Sequence, residues 1–164
     1  MTAPPTERTK VLLVEDDPTM VLFYTKYLSK IFDVDTATTA ADGLPKLASG
    51  YPFQAVVLDL NLPNGSGLAL IERFQTCKPG VPILVVTGFA FDAADVINKG
   101  AQDILIKDAT APQELIEALT KTIARHKVRQ AFAPVDKAMA EVSESIQKQS
   151  ELTDRREESL PPKG

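Results

Sequence analysis

Four short apolar runs each lead into a residue able to do polar chemistry. Lys10 to Val14 is followed by Glu15, Asp16 and Asp17, and Ala55 to Leu58 by Asp59; Ile83 to Val86 is followed by Thr87, and Ile104 to Ile106 by Lys107. Carboxylates brought to one crevice repel each other and need a cation to stay ionised. With oxygen donors and no histidine or cysteine among them, the cation of choice is Mg²⁺, which keeps several waters and takes few protein carboxylates. One carboxylate can then attack a phosphoryl group and form an acyl phosphate, while the metal and an ammonium balance the equatorial oxygens and a hydroxyl donor completes the cradle. Asp59, Glu15, Asp16, Lys107 and Thr87 fit those roles. Asp59 sits between four apolar residues and Leu60, so an ionised group there is costly unless coordinated or paired, and Lys107 after Ile104-Leu105-Ile106 invites the same argument. Asp17 reads as a solvated loop residue, and Cys77 and His126 as structural or solvated.

The elements that must position these groups alternate. The runs at 10–15, 55–59 and 83–87 are too short for helices and too apolar for half-exposed strands, so they predict strands buried on both faces, with weaker strands at 33–37 and 103–106. Between them lie helical periods. Pro18 suits a first turn, with Val21, Tyr24 and Leu28 behind it; Ala40, Leu44 and Leu47 precede Gly50, and Pro45 should end or kink that helix unless it starts just before the proline. Ser66 can cap a helix carrying Leu68, Ile71 and Phe74, and Ala93, Val96 and Ile97 mark another that stops at Gly100. A fifth starts near Pro112 with Leu115, Ile116, Leu119 and Ile123 on one face. Five strand-helix units predict an α/β fold, a doubly wound parallel sheet with helices on both faces and right-handed crossovers. Ligands in such sheets bind outside the carboxyl ends of the strands, where Glu15, Asp16, Asp17, Asp59, Thr87 and Lys107 lie.

Composition narrows the classes. The chain has 164 residues, 44% hydrophobic and 24% charged, in the range of soluble globular proteins. No run approaches the roughly 20 apolar residues of a membrane span, and the first nine residues lack the apolar core of a signal peptide, which predicts a cytoplasmic protein. One cysteine and one histidine exclude an internal disulfide and a four-ligand zinc site of the usual kind. The net charge of −4 lies wholly before Lys127, with 11 basic against 15 acidic residues, and no basic face for nucleic acid shows.

Four motifs in order, Val-Leu-Leu-Val-Glu-Asp-Asp-Pro at 11–18, Val-Leu-Asp-Leu-Asn-Leu-Pro-Asn-Gly-Ser-Gly at 57–67, Val-Val-Thr-Gly at 85–88 and Gly-Ala-Gln-Asp-Ile-Leu-Ile-Lys at 100–107, resemble the receiver domain of two-component response regulators. The resemblance covers residues 9–126. It implies a flavodoxin-like strand order 2-1-3-4-5. It also implies that Asp59 accepts phosphate from a histidine kinase or phosphotransfer protein, and that Glu15, Asp16, Asp59 and the backbone carbonyl of Asn61 hold Mg²⁺. By the same resemblance Thr87 is the switch hydroxyl that moves to the phosphoryl group and Lys107 the cation that pairs with it, while Gly88 stands where the family prefers a small residue.

The chain departs from that pattern on one face. Ile104 stands where receivers usually carry Tyr or Phe, so the rotamer readout of an aromatic ring is absent. Asp108 replaces the usual proline, and a cis peptide there would cost about 3–4 kcal/mol. The stretch from Thr87 to Gly100 is slightly short, which predicts a shortened or rearranged fourth helix. These departures fall on the family's usual output surface, so the expectation is intact phosphoryl chemistry with atypical signal transmission.

Residues 1–8 read as a flexible start and 127–164 as a polar tail with a helix over about 134–150, beginning near Pro134, and a disordered end after about Glu151. Val135, Met139, Val142 and Ile146 share a seam along that helix, which would dimerise or await a partner, and the next seam positions, Gln149 and Thr153, are polar. The tail is too short and polar for a DNA-binding or cyclase module, so the expected output is protein interaction with an unidentified downstream protein, self-association or phosphate relay, unless the chain is the receiver fragment of a longer regulator. No turnover beyond the protein's own phosphoryl transfer and dephosphorylation is expected. A phosphorylation-independent docking module is the alternative, and an aspartyl phosphohydrolase is disfavoured because Asn61 stands where such enzymes often carry a second aspartate.

Overall fold

The computed structural model describes residues 8–63, 67–88 and 92–158, with side chains through residue 152. Strands β1 (Lys10–Val14), β2 (Asp33–Ala37), β3 (Ala55–Leu58), β4 (Ile83–Thr87) and β5 (Asp103–Ile106) alternate with helices α1 (Pro18–Leu28), α2 (Ala40–Ala48), α3 (Gly67–Cys77), α4 (Ala93–Asn98) and α5 (Pro112–Glu158). The strands form one sheet in the order β2-β1-β3-β4-β5. Every pairing is parallel; Leu13 stands opposite Val57 and Val57 opposite Leu84 in adjacent strands.

Side-chain alternation along the strands builds a core on each face. Leu12 and Val14, Val56 and Leu58, Ile83 and Val85 pack under α2, α3 and α4, with Leu47, Leu70, Ile71, Phe74 and Val96. Val11 and Leu13, Ala55 and Val57, Leu84 and Val86 pack under α1 and the first turns of α5, with Tyr24, Leu28, Leu115, Leu119 and Ile123. Each full burial of such a side chain contributes about 1.5–3 kcal/mol, so the sheet is held from both sides. Gly43 sits at a close approach of helix to sheet, where an added Cβ would lie 3.1 Å from Phe74 Cζ and 3.2 Å from Val14 Cγ2. Among the described residues no helix is long and apolar enough to cross a membrane.

Three expectations change. Helix α2 continues through Pro45 to Ala48. The amide that proline removes would have reached the carbonyl of Ala41, an exposed residue whose carbonyl water can satisfy, while buried Leu47 beyond the proline holds the last turn to the core. The tail helix does not begin near Pro134, because α5 runs unbroken from Pro112 and carries Pro134 in its interior; its backbone is helical past Glu151 to Glu158. Ser66, expected to cap α3, lies outside the described residues. The chain divides into two compact units between Arg125 and His126. In the second unit the side chains described beyond His126 are exposed.

Candidate functional site

Strands β1 and β3 each stop one residue before a carboxylate. Glu15 and Asp59 therefore occupy the first loop position beyond two central strands, at the sheet's carboxyl edge, and Thr87 is the last residue of β4. Their backbones are tied in by the sheet, with Glu15 N–H donating to the Ala37 carbonyl and Asp59 N–H to the Val14 carbonyl, both at 3.0 Å. Glu15 is 1% exposed and Asp59 3%. Neither is left uncompensated. Lys107, entering from the end of β5, donates to Asp59 Oδ2 at 2.8 Å and lies 2.7 Å from Glu15 Oε2. Asn61 N–H adds a donor to Asp59 Oδ1 at 3.0 Å.

The electrostatics follow from that crowding. Burial pushes the Glu15 carboxyl above its ordinary value, with the nearby Asp59 charge adding to it and Lys107 opposing. Burial alone would lower the Lys107 ammonium, but hydrogen bonds and attraction from Asp59 and Glu15 prevail and hold it above the usual lysine range. Tyr24, buried on α1, has its phenol pushed up to about 12, chiefly by burial, and feels the charges of Lys107, Glu15 and Asp59.

Asp16 completes the acidic group from an exposed position. One carboxylate oxygen each from Glu15, Asp16 and Asp59 lies within 4.8 Å of the others. When ionised, three carboxylates stand against the single charge of Lys107, leaving two negative charges to be balanced. An all-oxygen donor set with that excess fits a hard divalent cation that retains water, such as Mg²⁺.

Thr87, 0% exposed, accepts a hydrogen bond at 3.2 Å from the side-chain amide of Asn61. The sequence singled out Asn61 for its carbonyl; what it could not show is this amide reaching across to the hydroxyl. Tyr24 gives no signal of its closeness to these charges in the sequence, because an aromatic at helical spacing between Val21 and Leu28 reads simply as core. Asp17 is not part of that acidic group and caps α1, accepting from Thr19 N–H at 2.7 Å and Met20 N–H at 3.3 Å, so it does more than sit solvated in a loop. Its own N–H donates to Glu15 Oε1 at 3.3 Å. Beside the site, among the described residues a methyl added to Gly88 would meet Lys107 Cδ alone, at 4.0 Å. Phe89 lies outside the described residues.

On the neighbouring face, α4 has six residues, and Lys107–Ala109 closes into a 3₁₀ turn. The peptide joining Lys107 to Asp108 is trans. Ile104 is half-buried and packs against the core under α4.

Comparison with known proteins agrees with this geometry. The family model for the response regulator receiver domain matches residues 11–120. The luminescence regulatory protein LuxO of Vibrio campbellii is 30% identical over 102 residues, covering 60% of this chain and 22% of that protein. The response regulator ArlR of Staphylococcus aureus is also 30% identical over 102 residues, covering 60% of this chain and 46% of its own length. The matched part thus spans less than half of either relative. Among solved structures, a CheY-like receiver domain protein from Methanospirillum hungatei superposes with a TM-score of 0.69 at 26% identity, covering 74% of this chain and 98% of that one. The signal receiver domain of an HD domain-containing protein from Pseudomonas fluorescens gives the same TM-score and identity over 79% of this chain and 97% of that one.

Proposed function

The chain belongs to the response regulator receiver family, and from that premise we propose that it is a phosphorylation-dependent switch of a two-component phosphorelay, with Asp59 as the phosphoacceptor and a histidine kinase or phosphotransfer protein as the donor. The observation that carries this reading is the buried Asp59 carboxylate held between Lys107 Nζ at 2.8 Å and Asn61 N–H at 3.0 Å, with the Glu15 and Asp16 carboxylates beside it.

In this reading an Asp59 oxygen attacks the phosphorus of a phosphohistidine, an O–P bond forms as the N–P bond breaks, and the bonding pair leaves with the imidazole nitrogen, which takes up a proton. Lys107 exchanges part of its hold on the carboxylates for a phosphoryl oxygen. Glu15, Asp16, Asp59 and the backbone carbonyl of Asn61 would hold Mg²⁺, which supplies counter-charge to the transferring group. The Thr87 hydroxyl, oriented by the Asn61 amide, donates to the phosphoryl group and carries the change to β4. With Ile104 in place of a ring and a short α4, the signal leaves this face by backbone and packing shifts rather than by an aromatic rotamer. Phosphorylation must favour one of two packings to signal at all. The output is protein interaction, in the cytoplasm, and the protein turns over no external substrate.

The test is intact mass after incubation with a small-molecule phosphodonor and Mg²⁺. One phosphate on the native protein, lost in Asp59→Asn and with chelator, supports the reading. No adduct on the native chain overturns it and favours a phosphorylation-independent docking module.

A further inference from the structure

The second unit carries a feature that phosphoryl chemistry does not use. Val128, Phe132, Val135, Met139, Val142 and Ile146 step by four, three, four, three and four along α5, and their exposure runs from 51% at Val135 to 66% at Met139. A 3.5-residue apolar period on an uninterrupted helix lines up a single stripe that water leaves uncompensated. The continuity of α5 through Pro134 matters here, because it adds Val128 and Phe132 to a seam that a helix starting at Pro134 would not contain. In the middle of the stripe Val135, Met139 and Val142 form an open apolar patch with Pro134, Ala138 and Ser143.

We propose that a second copy of this chain covers this stripe, the two α5 helices pairing in parallel and in register as a two-stranded coiled coil. Charge favours self-pairing. The positions flanking the stripe are small and uncharged at Ala131, Ala138, Ser143, Ser145 and Ser150 and charged at Arg129 and Asp136, whereas Lys137, Glu141, Glu144 and Lys148 fall on the far side of the helix. Two identical stripes can meet without like charges facing each other when the helices run parallel, because each flanking charge then lies opposite an uncharged residue. Residues 127–164 hold seven basic and seven acidic residues, so the paired segments have no net repulsion.

Orientation follows from Asp136. An antiparallel pairing that matches the same six residues puts Val135 opposite Met139 of the other copy, and the two Asp136 carboxylates then flank the two-fold axis facing each other. In the parallel arrangement Asp136 faces Ala131 of the other copy and Arg129 faces Ala124, so no like-charged pair forms.

The proposal is independent of the phosphoacceptor reading and is tested without a phosphodonor. Sedimentation equilibrium of the full chain is expected to give twice the 17.8 kDa chain mass. Met139→Lys should weaken the dimer at least about tenfold; Glu144→Lys on the far side should leave it unchanged, and Met139→Leu should retain it. In a Cys77→Ser background, Val142→Cys should oxidise to a disulfide-linked dimer and Glu144→Cys should not. A monomer across the accessible concentration range would overturn the proposal and leave the stripe to a different protein. So would a dimer indifferent to Met139→Lys, or one in which Val142→Cys fails to crosslink.

Discussion

The Lys107 ammonium lies 2.8 Å from Asp59 Oδ2, joining residues 48 apart in the chain. The same nitrogen is 2.7 Å from Glu15 Oε2, and Lys107 is the described cation that both buried carboxylates share. Removing it leaves two carboxylates in a site with almost no access to water. Breaking a buried pair from one side costs about 3–5 kcal/mol, so Lys107→Met measured with chelator present should lose stability of that order at pH 7. The loss should shrink as the pH falls and Glu15, whose carboxyl burial already holds above its ordinary value, takes up a proton. Denaturant melts at pH 7 and pH 5 measure both, and an unchanged midpoint at pH 7 would contradict the arrangement.

Asp16 contributes to the same acidic group but is exposed, and its substitution should separate metal binding from folding. Asp16→Ala is expected to change metal-free stability by no more than about 0.5 kcal/mol, the usual range for a surface site. Mg²⁺ should raise the melting temperature of the native protein in a concentration-dependent way and lose most of that effect in the variant. Equal Mg²⁺ stabilisation of both proteins would remove Asp16 from the metal site.

Its neighbour behaves differently. Asp17 holds two amides at the start of α1, so Asp17→Ala should cost about 1 kcal/mol, the typical loss of a helix cap. Its Mg²⁺ affinity should stay near native. A variant with native stability and weakened Mg²⁺ binding would reverse the assignments of Asp16 and Asp17.

His126 gives a single imidazole resonance to follow, because the chain has one histidine. Partial burial, with Arg129 adding repulsion, holds it below 6.5. A depressed value means the unfolded chain takes up the proton first. Stability from this group is therefore complete above the unfolded value and declines as the pH drops from 6.5 through the folded value. A nuclear magnetic resonance titration with its midpoint at or above 6.5 would refute the environment described.

Much of this molecule is legible in its sequence. Runs such as Val11 to Val14 and Ile83 to Val86 have no polar position to offer solvent, so they mark strands covered on both faces, and Glu15, Asp59, Thr87 and Lys107 follow at their ends. What stayed hidden depends on three-dimensional neighbours or on tertiary override. The Asn61 amide meets Thr87 only because β3 and β4 are adjacent, and nothing local in either sequence points to the other. Proline removes an amide, which marks Pro45 as a break or kink and Pro134 as a helix start, yet both lie inside helices. Beyond Pro45 the buried Leu47 keeps the last turn packed, and at Pro134 the helix continues on both sides.

The claim on which the account turns is that Asp59 is the residue phosphorylated. An acyl phosphate is reduced by borohydride to an alcohol, so treating the phosphodonor-loaded protein with borohydride and mapping its peptides locates the modified carboxylate. Homoserine is expected at position 59 and nowhere else. Homoserine at position 16 or 17, or 2-amino-5-hydroxypentanoic acid at position 15, with position 59 intact, would contradict it.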